Sequence, residues 1–224
     1  MTTVVIVDDQ SMIRFALRSI LETTSDLQVI GEAEQGGIGA DLVKSLRPDV
    51  VLMDLQMPAI GGLEGIRRIR SDANLNDTRI LVLTTFENDE NVLEALRIGA
   101  NGFLGKGAEA PELIAAVRQV GAGQALLSSS AMESVVGYLA AEKPRASPST
   151  ASLSTAGQVA QLTPREREVV GLVAEGLETD AIAARLFISP YTAKTHINRA
   201  MNKLGISTRS QLVLVALEFD IRTP

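Results

Sequence analysis

Residues 5–10 read VIVDDQ, an apolar run that ends in two adjacent carboxylates. Like charges side by side repel, and ionised carboxylates resist burial. Such a pair is tolerable at the water-accessible end of a strand, so the strands come first. Short runs rich in β-branched residues occur at TVVIV (3–7), LQVIGEA (27–33), DVVLMD (49–54), RILVLT (79–84) and NGFLG (101–105). Between them lie stretches of helical period, such as Ile13, Ala16, Leu17, Ile20 and Leu21, and further ones near 38–46, 63–71, 89–98 and 110–120. Five strands alternating with five helices predict an α/β, doubly wound, five-stranded parallel sheet covered on both faces.

In an open parallel sheet, ligands bind beyond the carboxyl ends of the strands, where the strand order switches. Asp8 and Asp9 end strand 1, Asp54 ends strand 3, Thr84 ends strand 4 and Lys106 follows strand 5. Five polar groups from distant segments thus converge on one edge. Three carboxylates together are costly unless a cation holds them, and Mg²⁺ suits oxygen ligands with several retained waters. Taken singly, each residue has a plainer reading. Asp8 and Asp9 could cap the following helix, Asp54 could belong to a turn, Thr84 could be a strand former and Lys106 a solvated lysine. The stretch GGIGA at 36–40 follows neither a Walker nor a dinucleotide pattern and is not taken as a phosphate loop.

Together the five residues resemble the receiver domain of two-component response regulators over residues 2–125, with a flavodoxin-like fold. The stretches that carry the resemblance are IVDDQ, DVVLMDLQMPAIGGLEGIRRIR, ILVLTTFEND and GANGFLGKG. The resemblance implies that Asp54 takes a phosphoryl group from a histidine kinase. It implies that Asp9, Asp54 and the backbone carbonyl of Gln56 ligate Mg²⁺, with Asp8 acting directly or through water. Lys106 would pair with the phosphoryl oxygens, Thr84 would hydrogen-bond one of them, and Phe103 would be the switch aromatic. The chemistry agrees, since phosphoryl transfer needs an in-line nucleophile and cations that spread the charge. Many receivers carry proline after the lysine, usually cis; here it is Gly107, and the peptide geometry stays open.

The rest of the chain is different in kind. Net charge is −6 overall. Residues 1–140 hold 11 Lys/Arg against 19 Asp/Glu (−8), and residues 162–224 hold 8 against 7 (+1). Residues 181–217 contain five Lys/Arg, His196 and no acid. An acidic half beside a locally basic one points to two modules, the second with an anionic partner. The expected division is a receiver over 1–125, a helix (128–141) and Ser/Thr/Pro/Ala-rich flexible tether over 126–160, and a helix-turn-helix domain over 161–224. The tether, residues 142–160, is expected to be unstructured.

From 162 the pattern is all-α. Thr163, Pro164 and Glu166 form a capping box with proline at the first helical position. Ser189 and Pro190 start a second such helix, which Gly205 stops, and a last helix spans about 207–219. On a wheel, Ala193, Ile197, Ala200 and Leu204 face inward; Thr195, Asn198, Arg199 and Asn202 face away, flanked by Lys194 and Lys203. Short helices before such a helix read as helix-turn-helix, whose second helix suits the major groove. The stretches LTPREREVVGLVAEGL, IAARLFIS, TAKTHINRAMNKLGI and RSQLVLVA resemble the LuxR-type output domain of NarL/FixJ response regulators over residues 160–221. The resemblance implies that Lys194, Thr195 and Asn198 read bases, that Thr192, Arg199 and Lys203 mostly position phosphates, and that Leu212, Val213, Ala216 and Leu217 lie on a dimerisation helix. One departure is Glu178-Thr179-Asp180, where the family commonly carries a Ser-Asn-Lys type segment, so that Thr179 and Asp180 replace an asparagine and a lysine able to bond phosphate. His196, the single histidine, has no metal-type companion nearby.

Cysteine is absent, excluding disulfides and thiolate metal sites. There is no long uncharged apolar stretch and no basic n-region, so a cytoplasmic protein without a membrane partner is expected. The sum predicts a non-enzymatic, phosphorylation-switched regulator that binds double-stranded DNA as a homodimer and has a histidine kinase as partner. Two alternatives stand beside it. One is a regulator switched by partner binding without phosphotransfer, against which the full set of five receiver residues argues. The other is an aspartyl-nucleophile phosphatase, which would show D-x-D at strand 1 where this chain has adjacent Asp8-Asp9.

Overall fold

The computed structural model describes residues 1–84, 89–127 and 150–222, with side chains also omitted at 84, 89–90, 127 and 150–154. The chain forms two compact units, Met1–Val135 and Val136–Pro224.

The first unit is the expected α/β sandwich. Its elements are β1 (Thr2–Val7), α1 (Ser11–Leu21), β2 (Leu27–Ala33), α2 (Gly36–Leu46), β3 (Val50–Asp54), α3 (Gly62–Ser71), a 3₁₀ turn (Ala73–Leu75), β4 (Arg79–Thr84), α4 (Asp89–Arg97), β5 (Gly102–Gly105), α5 (Ala110–Gly121) and β6 (Leu126–Leu127). All strand pairs are parallel and the order is β2-β1-β3-β4-β5-β6. The sheet therefore has one strand more than expected. β6 pairs Leu126 and Leu127 with Gly102 and Phe103; a two-residue strand is too short to show a period.

β3 is buried at every position, as a central strand covered on both faces must be. Alternation sorts its neighbours. Val4, Ile6, Val50, Leu52, Leu81 and Leu83 join Leu113, Ala116, Val117 and Val120 of α5 and Leu21 of α1 in one core. α2 packs toward β1 on the opposite face and against α3. The glycines of GGIGA belong to this crossing: a Cβ on Gly36 would stand 2.4 Å from the Gly61 carbonyl oxygen, and Gly36 N–H donates to the Ile60 carbonyl at 2.8 Å. Close helix approach, not phosphate binding, accounts for them. β1 has β2 on one side and β3 on the other, so the order switches there and opens a crevice at the carboxyl ends of β1 and β3.

The second unit is helical: α6 (Thr150–Ala160), α7 (Pro164–Ala174), α8 (Thr179–Arg185), α9 (Pro190–Leu204) and α10 (Arg209–Glu218). The caps fall where the sequence places them. Thr163 and Glu166 form a reciprocal box on α7, Ser189 caps α9 through Thr192 N–H, and Gly205 ends α9 in the left-handed region at φ 64°. A second box, Thr208 with Gln211, starts α10. Ala193, Ile197, Ala200 and Leu204 are the buried face of α9. The expected tether is corrected over 150–160, which is helix. α6 lies on α9, Val159 is buried, and the Arg167 guanidinium donates to the Val159 carbonyl at 3.2 Å. The helix expected over 128–141 and the tether segment 142–149 lie outside the described residues.

Candidate functional site

The strand-end constellation assembles in space. Asp8 and Asp54 are 2% and 3% exposed, and Lys106 reaches across from the end of β5 to both. Its Nζ lies 2.7 Å from Asp8 Oδ2 and 2.9 Å from Asp54 Oδ2. The Asp54 contact is an aligned hydrogen bond. Asp8 Oδ2, close as it is, has no partner in hydrogen-bonding direction. The other oxygens are held by the backbone, Asp8 Oδ1 by Gln10 N–H at 2.9 Å and Asp54 Oδ1 by Gln56 N–H at 3.3 Å. Gln10, not either aspartate, is the N-cap of α1, so simple capping does not account for the pair.

The site is short of positive charge. Asp8, Asp9 and Asp54 each bring one carboxylate oxygen within 4.8 Å of the others, and Lys106 is the ammonium that faces them. Asp9 Oδ1 is buried with no partner. An all-oxygen donor set with an orphaned buried carboxylate oxygen fits a hard divalent cation. Burial lifts Asp54 above the ordinary carboxylate range, while the Lys106 bond and charge pull the other way. Burial also works against the Lys106 charge, but its close contacts with the Asp8 and Asp54 carboxylates outweigh it and hold the ammonium above its usual value. With two carboxylates facing one ammonium, the lysine stays charged and the carboxylates compete for it.

Local packing holds Asp54 in place. A Cβ on Gly62 would fall 1.9 Å from the Asp54 carbonyl oxygen, so only glycine lets α3 begin directly beneath the strand end. Gln56 is exposed with its backbone beside the carboxylates. Phe103 is 1% exposed, turned into the core. Thr84 closes β4, but its side chain lies outside what the structure describes. The described residues contain no cis peptide bond, so Lys106–Gly107 is trans.

On the second unit, Lys194, Asn198, Arg199 and Asn202 are exposed along α9, with Thr192, Thr195 and His196 half-buried. Thr192 Oγ1 shares a 2.8 Å hydrogen bond with Ser189 Oγ, and Thr195 Oγ1 donates to the Tyr191 carbonyl at 2.8 Å. Several expected residues have other work. Lys203 Nζ donates to the buried Glu166 carboxylate at 2.7 Å and to the Gln161 carbonyl at 3.2 Å, so its charge is already matched. Burial raises Glu166, but the bonds from Lys203 and Thr163 prevail and keep it below its ordinary value. Thr179 accepts from Arg209, whose guanidinium also holds the Leu177 carbonyl. Finally, Leu212, Val213 and Ala216 are buried, with α10 packed on α7 and Leu217 half-exposed. Within this unit Leu212, Val213 and Ala216 form core, and Leu217 is the member of the expected dimerisation set that reaches solvent. Two exposed aromatic side chains were not singled out from the sequence: Phe187 at 94% and Tyr191 at 82%. A helical wheel begun two residues earlier would have found Tyr191.

Among the described residues no helix is long and apolar enough to cross a membrane. Residues 4–118 match the family model of the response regulator receiver domain, and residues 160–216 match that of the bacterial regulatory proteins of the luxR family. The chain is 37% identical to the nitrate/nitrite response regulator protein NarL of Escherichia coli (strain K12), over 92% of this chain and 91% of the relative. It is 33% identical to the DNA-binding transcriptional activator DevR/DosR of Mycobacterium tuberculosis, over 100% and 98%. Among solved structures it is similar to the response regulator ChrA of a heme-sensing two-component system, at TM-score 0.51 and 30% identity, with 98% of each chain covered.

Proposed function

The chain belongs to the NarL/LuxR-type response regulators, which are DNA-binding transcription regulators, and from that premise we propose that it is switched by phosphorylation of Asp54 from a partner histidine kinase. The observation that carries this reading is the meeting of Asp8, Asp54 and Lys106 at one strand edge, beside an Asp9 oxygen that has no partner. An ionised Asp54 oxygen attacks the phosphorus, an acyl phosphate forms, and the bond to the kinase histidine breaks. Lys106 already touches the attacking carboxylate and can follow the negative charge onto the phosphoryl oxygens. Asp9, Asp54 and the Gln56 carbonyl, with Asp8 directly or through water, would hold Mg²⁺, which when bound supplies neutralisation of the transferring group's charge. Phosphorylation adds negative charge and acceptors beside Lys106 and the end of β4. Thr84 turning toward the phosphoryl group would free room into which Phe103 can move, a two-position element of the kind such switches use.

The output is reading of duplex DNA by α9, with Lys194, Thr195 and Asn198 at base edges and Thr192 and Arg199 at phosphates. Thr179 and Lys203 stay in the phosphate set only as secondary contacts, since Arg209 and Glu166 already engage them. Dimerisation belongs to the phosphorylated or DNA-bound form and would use α10, where Leu217 is half-exposed while Leu212, Val213 and Ala216 support the helix from within the unit. A small acyl-phosphate donor should label Asp54 only with Mg²⁺ present, and Asp54→Asn should abolish the label. Footprinting should then show donor-dependent protection of an inverted repeat whose half-sites lie about 10 bp apart. Unchanged labelling in Asp54→Asn, or protection indifferent to the donor, refutes the switch.

A further inference from the structure

Tyr191 stands at the second position of α9, 82% exposed. A tyrosine ring in water offers a large apolar face with a hydrogen-bonding tip, the combination that is enriched where molecules meet. At 100° per residue, Tyr191, Thr195, Asn198 and Asn202 are spaced i, i+4, i+7 and i+11, a single ridge. The buried residues Ala193, Ile197, Ala200 and Leu204 define the opposite face, so this ridge points straight away from the domain. Lys194 and Arg199 flank it on either side, and residues 181–217 carry no acid. The ridge centre therefore faces the floor of whatever polyanionic groove the flanking cations straddle, and phosphates would be met by the flanks. Recognition helices meet base edges with their N-terminal residues, which is where Tyr191 sits.

We propose that Tyr191 is a sequence-reading residue that lays its ring against a thymine C5-methyl group in the major groove. The inference rests on the DNA-binding reading above and deepens it. Ring chemistry selects the target. The methyl of thymine is the apolar feature of the major-groove floor, and a ring exposed on a polar ridge gains most by covering it. Thr195 Oγ1 donates to the Tyr191 carbonyl at 2.8 Å, which ties that first turn of the ridge down and leaves the hydroxyl's lone pairs and methyl for a base edge. Phe187, also exposed but in the turn before α9 with φ 53°, lies off the helical ridge and serves as the control.

The test uses the full chain treated with an acyl-phosphate donor. A duplex is first selected by the wild-type protein from random sequence. Each thymine of its half-sites is then replaced in turn by deoxyuridine, which removes the methyl and nothing else. At one thymine per half-site, the wild-type chain and Tyr191→Phe should lose affinity about 3- to 10-fold, the worth of one methyl contact. Tyr191→Ser should bind more weakly from the start and be indifferent at that same thymine, while Phe187→Ser keeps the methyl dependence. Circular dichroism of Tyr191→Ser should be unchanged, since the side chain packs on little. If no thymine shows a methyl effect that depends on residue 191, or if Tyr191→Ser weakens every sequence alike, the inference is overturned while the DNA-binding reading stands. If the wild-type chain selects no duplex, the DNA-binding reading itself fails.

Discussion

Replacing Lys106 by methionine keeps most of the side chain's volume and removes its charge. In the native receiver that ammonium lies 2.7 Å from Asp8 and 2.9 Å from Asp54; the lysine side chain is 8% exposed and each carboxylate 3%. Water therefore cannot take its place. Stripping one partner from a buried ion pair leaves uncompensated charge and costs about 3–5 kcal/mol. For a unit of this size that is a fall in Tm of about 10–20 °C. A proton can stand in for the lysine, so the deficit should shrink as the pH falls and Asp54, already lifted by burial, protonates. A divalent cation can stand in too, and at a hundredfold excess over its Kd it should restore about 2.7 kcal/mol. Differential scanning calorimetry of the full chain, wild type and Lys106→Met, with EDTA and with Mg²⁺, resolves these terms; the receiver transition is the one that responds to Mg²⁺. Mg²⁺ should raise the variant more than the wild type, whose lysine competes for the same oxygens. A Lys106→Met variant as stable as wild type in EDTA, or an equal Mg²⁺ shift in both, refutes the account of the site as a cation-poor carboxylate cluster.

Three further predictions follow from contacts elsewhere. Arg199→Ala should lower the salt slope of DNA binding by about one, whereas Lys203→Met should leave it near the wild-type value because Glu166 already neutralises that lysine; equal slopes for the two variants would return Lys203 to the phosphate contacts. Glu166 is held below its ordinary value in the fold, so its contribution is complete above its unfolded value of about 4.5 and lost as the pH falls from there through the folded value. Glu166→Gln should flatten the stability of the output domain across that acid window, and Lys203→Met should cost about 1–2 kcal/mol at neutral pH, both read by urea unfolding. Gly62→Ala should lower stability by about 1–3 kcal/mol and also impair labelling of Asp54, since its Cβ would meet the Asp54 carbonyl; Gly36→Ala should cost stability with labelling kept, and a reversal of that pattern would mean α3 does not brace the acceptor.

The sequence alone determined what depends on neighbours a few residues apart. Strand and helix periods, the caps at Thr163, Ser189 and Gly205, and the buried stripe Ala193–Ile197–Ala200–Leu204 are local patterns, and the structure returns them. A parallel sheet follows from alternation of strands with helices, which sends Asp8, Asp9, Asp54 and Lys106 to one edge before any contact is known; the strand order and its switch at β1 come from the pairing itself. What only the tertiary structure decided are pairings across long separations. Lys106 joins Asp54 from 52 positions away, and Lys203 reaches Glu166 from 37. No spacing rule predicts which cation a buried carboxylate will take, because that is settled by which elements pack together. The same holds for composition-based expectations. Residues 150–160 are rich in Ser, Thr and Ala, which reads as a tether, yet contact with α9 and the bond from Arg167 to the Val159 carbonyl accompany a helix. The resemblance makes α10 a dimerisation helix, but an apolar helix does not declare from its sequence which of its side chains its own domain will cover. Here burial of Leu212, Val213 and Ala216 assigns those side chains to the interior.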